Sequence, residues 1–112
     1  MTKYRVEIGA QAQTDISEII HYIGQVLQEP RTAGRLYQLL KTEILSLKQM
    51  PERCPYEDDD RLRALEIRKL LVKNYKVLYF ADRKHQVVQI VRVIYAGRDI
   101  EKFLDESDFE NL

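Results

Sequence analysis

The sequence predicts an α+β domain in the order β-α-α-β-β-β. A two-helix hairpin packs on one face of an antiparallel sheet, and a short helix follows the last strand. Three observations lead there. Before residue 51, apolar residues recur twice in succession at spacings of three and four, with Pro30 between the two runs. After residue 64, three apolar segments are separated by turns of hairpin length. Finally, 112 residues, 45% of them hydrophobic, with four Gly and three Pro, describe one ordinary globular domain rather than a repeat array or a disordered chain.

Tyr4, Val6 and Ile8 alternate with Arg5 and Glu7, the period of a short first strand that Gly9 ends. Ile16, Ile19, Ile20, Ile23, Val26 and Leu27 form the stripe of an amphipathic helix over residues 11–28. Pro30 breaks that helix and suits the first turn of the next. The second helix carries Ala33, Leu36, Tyr37, Leu40, Ile44, Leu47 and Met50 on one face and stops at Pro51. So short a connection folds the two helices back as an antiparallel hairpin. Residues 51–62 read as a polar connection. Strands follow at 65–72, 75–81 and 86–96, joined by Lys73-Asn74 and by Asp82-Arg83-Lys84-His85. In the middle strand Tyr75, Val77 and Tyr79 share one face, and Lys76, Leu78 and Phe80 share the other. A short helix is expected over 99–104, with Asp99 and Glu101 near its positive end. Residues 1–104 form the domain, and 105–112 form an acidic tail.

Charge is segregated along the chain although the formal net charge is zero. Residues 61–98 hold ten Lys or Arg against two acids, Glu66 and Asp82. A field of one sign on one element favours a polyanion or an acidic partner over a neutral metabolite. The tail is acidic and either frays or folds over the basic sheet. No run approaches the length of a membrane span, and no leader is evident, so a soluble cytosolic protein is expected. Cys54 is the single cysteine, which excludes an internal disulfide. His21 and His85 lack partners at metal-ligand spacing. Asp58-Asp59-Asp60 lacks the glycine and terminal glutamate of a calcium loop and reads as a solvated turn. No metal or cofactor is implied.

Three segments resemble the RelE/ParE superfamily of type II toxin–antitoxin toxins. They are Ala12-x-x-Asp15-Ile16-x-x-Ile19-x-x-Tyr22-Ile23, Leu47-x-x-x-Pro51, and the run from Ile67-Arg68 through Asn74-Tyr75-x-Val77-x-Tyr79 to Arg92-Val93-x-Tyr95-x-x-Arg98-Asp99. The resemblance implies a growth-arresting toxin silenced by a cognate antitoxin in a hetero-oligomer, of the kind that stabilises plasmids. Its target is DNA gyrase if ParE-like. If RelE-like, the chain cuts mRNA on the ribosome, with Arg68, Lys76 and Arg98 as the cationic catalytic residues; attack by a 2′-hydroxyl also needs a base, and the residues available for it are Glu66 or Tyr95. The aligned proton donor of RelE-like enzymes falls at Leu104, beside Phe103, and neither side chain can transfer a proton. This favours the gyrase branch. Leu78, Phe80 and Phe103 are the expected partner contacts. Arg92 reads as a mid-strand residue paired with Glu66 or Asp99. A reading of another class is a non-toxic module that docks an acidic peptide on the basic sheet.

Overall fold

The computed structural model describes residues 3–104 and 106–109. Strand β1 (Arg5–Ile8) leads into α1 (Ala10–His21), which continues as a π-helical turn, Tyr22–Val26. Helix α2 (Pro30–Ser46) carries Pro30 in its first turn, as the fixed φ of proline allows. A 3₁₀ turn (Pro51–Arg53) and a short helix α3 (Asp60–Ala64) follow, then β2 (Ile67–Val72), β3 (Tyr75–Asp82) and β4 (Val87–Tyr95). Helix α4 (Ile100–Phe103) and a 3₁₀ turn (Glu106–Phe109) close the described chain.

The sheet order is β1-β4-β3-β2. The β2-β3-β4 meander is antiparallel as expected, but β1 joins β4 in parallel, so the sheet is mixed. Which edge β1 takes is decided at the other side of the sheet. Residues 55–57 run along β2, with Glu57 N–H donating to the Ile67 carbonyl at 2.8 Å and Lys69 N–H to Pro55 at 3.0 Å. That edge is occupied, and β4 offers the remaining one. Gly9 stands where β1 turns into α1 because a Cβ there would sit 3.1 Å from the Ile90 carbonyl oxygen.

The alternation read in the middle strand holds. Val77 and Tyr79 face the helical hairpin and share a core with Ala12, Leu36, Leu40, Ile44, Val88, Ile90 and Val93. Tyr79 is fully buried, and its hydroxyl donates to the Pro51 carbonyl, pinning the connection to the sheet. The opposite face is covered too, against expectation. Leu78, Ile67, Val91 and Ile94 form a second core with Leu62 of α3, Ile100 and Leu104 of the α4 segment, and Phe109. Each such side chain contributes roughly 1.5–3 kcal/mol by leaving water.

What read as a solvated aspartate run is the start of α3. Asp59 is its N-cap, and its carboxylate accepts from Arg61 N–H at 2.9 Å and Leu62 N–H at 3.3 Å. Asp58 instead pairs with Lys69. The hydrogen bond from the Arg61 side chain, opposed by burial and helped by the backbone N–H groups, holds the Asp59 carboxyl below its ordinary value of 3.8. A depressed folded-state value means stabilisation present above the unfolded value and lost as pH falls through the folded one. Asp59→Ala should therefore lose about 1 kcal/mol at neutral pH by urea unfolding. Its deficit relative to the parent should shrink as pH drops below 3.8.

Candidate functional site

The sheet separates the residues that the sequence grouped. Arg68 pairs across with Tyr79, on the hairpin face. Its guanidinium is spent on the connection, donating to the Glu52 carbonyl at 3.0 Å, the Cys54 carbonyl at 2.6 Å and the Tyr56 hydroxyl at 3.2 Å. It also lies over the Tyr56 ring, 4.2 Å from the centroid. Lys76 pairs across with Leu71 and Ile94, on the opposite face. There its ammonium meets both carboxylate oxygens of Glu57, at 3.2 and 3.3 Å, and Glu57 is only 2% exposed. Glu66 has φ of 60° and follows α3, where its N–H donates to the Arg63 carbonyl. It acts as the left-handed residue that ends the helix, a position usually held by glycine. Glu66 and Arg68 share a cleft of about 370 Å³ with Tyr56 and Arg83. Neither Lys76 nor Arg98 lines that cleft.

Arg98 is exposed and stacks on Phe103, its guanidinium carbon 4.4 Å from the ring centroid. Arg92 approaches the same ring at 5.2 Å. Of the three expected partner contacts, Phe103 is 39% exposed, Phe80 is half-buried, and Leu78 is 0% exposed. Leu78 therefore presents no surface to a partner, because α3, α4 and Phe109 cover it. Leu104, at the aligned position of the RelE-like proton donor, is also buried.

Arg92 pairs with neither Glu66 nor Asp99. Its Nε and Nη2 donate to the two carboxylate oxygens of Asp15 in α1, at 2.8 and 3.0 Å, and Nη1 donates to Asp108 at 2.7 Å. The register slips between Leu78 and Tyr79, leaving Val91 as an extra residue in β4, and this bulge re-aims the residue after it. Burial pulls down the hold of the Arg92 guanidinium on its proton. The hydrogen bonds and charges of Asp15 and Asp108 more than restore it. Sequence reasoning did not assign Asp15, although a carboxylate beside the apolar stripe of a helix is itself a sign of a buried partner.

Tertiary structure undoes the charge segregation. Glu52, Glu57, Asp58 and Asp59, all in the polar connection, pair with Arg83, Lys76, Lys69 and Arg61 of the basic stretch. With Arg92 added, half of its ten bases are neutralised by carboxylates. Among the described residues, no group of three or more His, Cys, Asp or Glu side chains is placed to hold a metal ion. No helix of the described residues is long and apolar enough to cross a membrane.

The helical hairpin on a four-stranded sheet makes this a small two-layer α+β domain. Residues 6–100 match the model of the ParE toxin family of type II toxin–antitoxin systems, and the chain belongs to that family. No curated protein is similar enough in sequence to match it. The fold is similar to the chromosomal ParDE toxin–antitoxin system of P. aeruginosa, with a TM-score of 0.68 at 17% identity over 85% of this chain and 98% of that one. It is also similar to the RelBE2 toxin–antitoxin complex of Mycobacterium tuberculosis (TM-score 0.59, 19% identity, 84% and 99% coverage). A double mutant of the E. coli toxin RelE in the free state gives a TM-score of 0.56 at 14% identity, covering 92% of this chain and 100% of that one.

The conformation of Glu66 separates a structural role from a catalytic one. Glu66→Gly relieves a left-handed strain that costs an L-residue roughly 1–2 kcal/mol, part of it offset by the greater freedom of glycine when unfolded. Chemical unfolding should show a variant at least as stable as the parent. If the carboxylate is also a catalytic base, toxicity on expression should fall sharply in the same stable variant. If its role is only to end α3, toxicity should be unchanged.

Proposed function

We propose that this toxin arrests growth by engaging a protein target, DNA gyrase, and that a cognate antitoxin neutralises it by packing on the helical hairpin. The observation that carries the reading is the dispersal of the cationic residues. Cutting RNA by attack of its 2′-hydroxyl needs a base, an acid and a cation within hydrogen-bond reach of one phosphate. Arg68 and Lys76 lie on opposite faces, each engaged by the connection, and Leu104 offers no proton. What remains accessible is Arg98 stacked on Phe103, beside exposed Tyr95, and an arginine with aromatic rings is a common anchor of protein interfaces.

The antitoxin surface follows from what the hairpin leaves open. A groove of about 350 Å³ runs between α1 and α2, lined by Ile16, Tyr37, Leu40, Ile44 and Leu45, and it reaches Ile8 of the edge strand β1. An amphipathic helix laid in the groove and continuing along that edge would cover both. The solved M. tuberculosis relative is itself a toxin–antitoxin complex, which supports an antitoxin partner here. Expressed without its partner, the protein should associate with itself or be poorly soluble, and a well-behaved monomer would count against the antitoxin surface.

The RelE-like reading keeps one specific support. Arg98 is exposed and, among the described residues, has no carboxylate partner. On induction, thymidine incorporation should stop before methionine incorporation, and the purified protein should inhibit gyrase supercoiling. Primer extension on mRNA from the arrested cells should show intact message. Discrete cuts that disappear in Arg98→Ala, a loss of roughly 100-fold for a transition-state contact, would instead establish the nuclease and remove the gyrase reading.

A further inference from the structure

Strand β1 is one edge of the sheet. In a parallel pair, every second residue of a strand turns its N–H and C=O toward the neighbour. Arg5 N–H donates to the Gln86 carbonyl and Gly9 N–H to that of Ile90, so Arg5, Glu7 and Gly9 face β4. Tyr4, Val6 and Ile8 turn their backbone groups outward. Two of these groups are already engaged. Tyr4 N–H donates to the Lys48 carbonyl at 2.8 Å, and the Ile8 carbonyl accepts from Gln13 Nε2 at 2.9 Å. Among the described residues, the Tyr4 carbonyl, the N–H and C=O of Val6 and the Ile8 N–H are left without a partner.

We propose that this edge is the interface between two copies of the chain, which join β1 to β1 antiparallel about a two-fold axis at Val6. The unpartnered groups select that register. With Val6 opposite itself, the two Val6 residues exchange N–H to C=O bonds, and each Ile8 N–H reaches the Tyr4 carbonyl of the other copy. Every open group is then paired, and the bonds to Lys48 and Gln13 stay intact. Charge selects the same register. Tyr4, Val6 and Ile8 pack toward the hairpin core, so Arg5 and Glu7 lie on the opposite face. Both are exposed, and their contact along one strand, at 3.4 Å, is worth little. About Val6, each Arg5 stands opposite Glu7 of the second copy, in the closely spaced position without backbone bonds. Sliding by two residues either way sets Arg5 against Arg5 or Glu7 against Glu7, and turns a Val6 group toward one already engaged. The axis runs perpendicular to the sheet, so two four-stranded sheets become one with both hairpins on the same side. The apolar groove that reaches Ile8 then lies beside its copy. Such a contact is isologous and closes on itself, which removes an edge open to indefinite strand addition. A partner that lays its own chain along β1 must first part the two copies. Nothing in the pairing depends on which target the toxin engages.

Sedimentation velocity of the full chain should show a concentration-dependent dimer. Arg5→Glu and Glu7→Arg each set like charges face to face and should weaken it roughly tenfold. An equimolar mixture of the two variants should dimerise as well as the parent, because every charge then faces its opposite. Each variant breaks the Arg5–Glu7 contact within its own strand, so a merely local role gives no recovery on mixing. Far-UV circular dichroism checks that both variants keep the fold. Disulfide trapping reads the register independently. Cys54 is the single cysteine, so Cys54→Ser supplies a background without thiols. In it, Val6→Cys should form an intermolecular disulfide on mild oxidation, since a hydrogen-bonded pair holds its Cα atoms about 5.5 Å apart. Ile8→Cys in the same background should not, because Ile8 faces Tyr4 and not itself. A parent chain that stays monomeric would overturn the proposal. So would a mixture no more dimeric than its components, or trapping through Ile8 in preference to Val6.

Discussion

The carboxylate of Asp15 solves a problem created by the shortness of β1. That strand covers β4 only as far as Ile90, and beyond it the edge of β4 would face the hairpin with unpaired backbone. Asp15, projecting from α1, accepts the Val93 N–H at 2.9 Å, both Arg92 donors, and Gln11 Nε2 at 3.2 Å. One side chain on a helix thereby substitutes for a strand. It also fixes α1 along β4, and a bidentate arginine defines that position in angle as well as distance. Asp15 and Arg92 are almost wholly buried, and a buried ion pair of this kind contributes specificity more reliably than net stability. Arg92 then reaches Asp108 and the Phe103 ring, so the placement of the C-terminal segment descends from the same pair.

Local periodicity made much of this legible. The two apolar stripes interrupted by Pro30 specify the hairpin, and the alternation of Tyr75 to Phe80 specifies which side chains face it. The place of β1 beside β4 was not legible, because nothing in Tyr4–Ile8 says which sheet edge is vacant. That depends on residues 55–57 occupying the edge of β2, a pairing between segments with no strand pattern of their own. The second core was missed for a related reason. Leu62 and Phe109 are isolated apolar residues in polar surroundings, Leu104 closes the short segment after β4, and only the folded chain shows that they converge on Leu78.

The candidate site was legible as residue types and misleading as a constellation. A stretch of ten bases reads as a field of positive sign, yet Glu52, Glu57, Asp58 and Asp59 lie just upstream and fold back onto it. Glu57 shows how far this goes, since the carboxylate partner of Lys76 is itself only 2% exposed. Arg68 is consumed by backbone carbonyls and behaves as a brace for the connection. The surface left to act is smaller than the sequence suggested and more aromatic. That shift, from a polyanion-binding sheet to an arginine–aromatic edge, is the ground on which a protein target is proposed.

A double-mutant cycle on Asp15 and Arg92, read by urea unfolding, bears most directly on the claim that this pair organises the fold. Asp15→Ala and Arg92→Ala should each cost about 3–5 kcal/mol, because either leaves a buried charge uncompensated. The double variant should lose little more than either single one, a coupling of about 3 kcal/mol. Single losses below about 1 kcal/mol that simply add would place the organising interaction elsewhere.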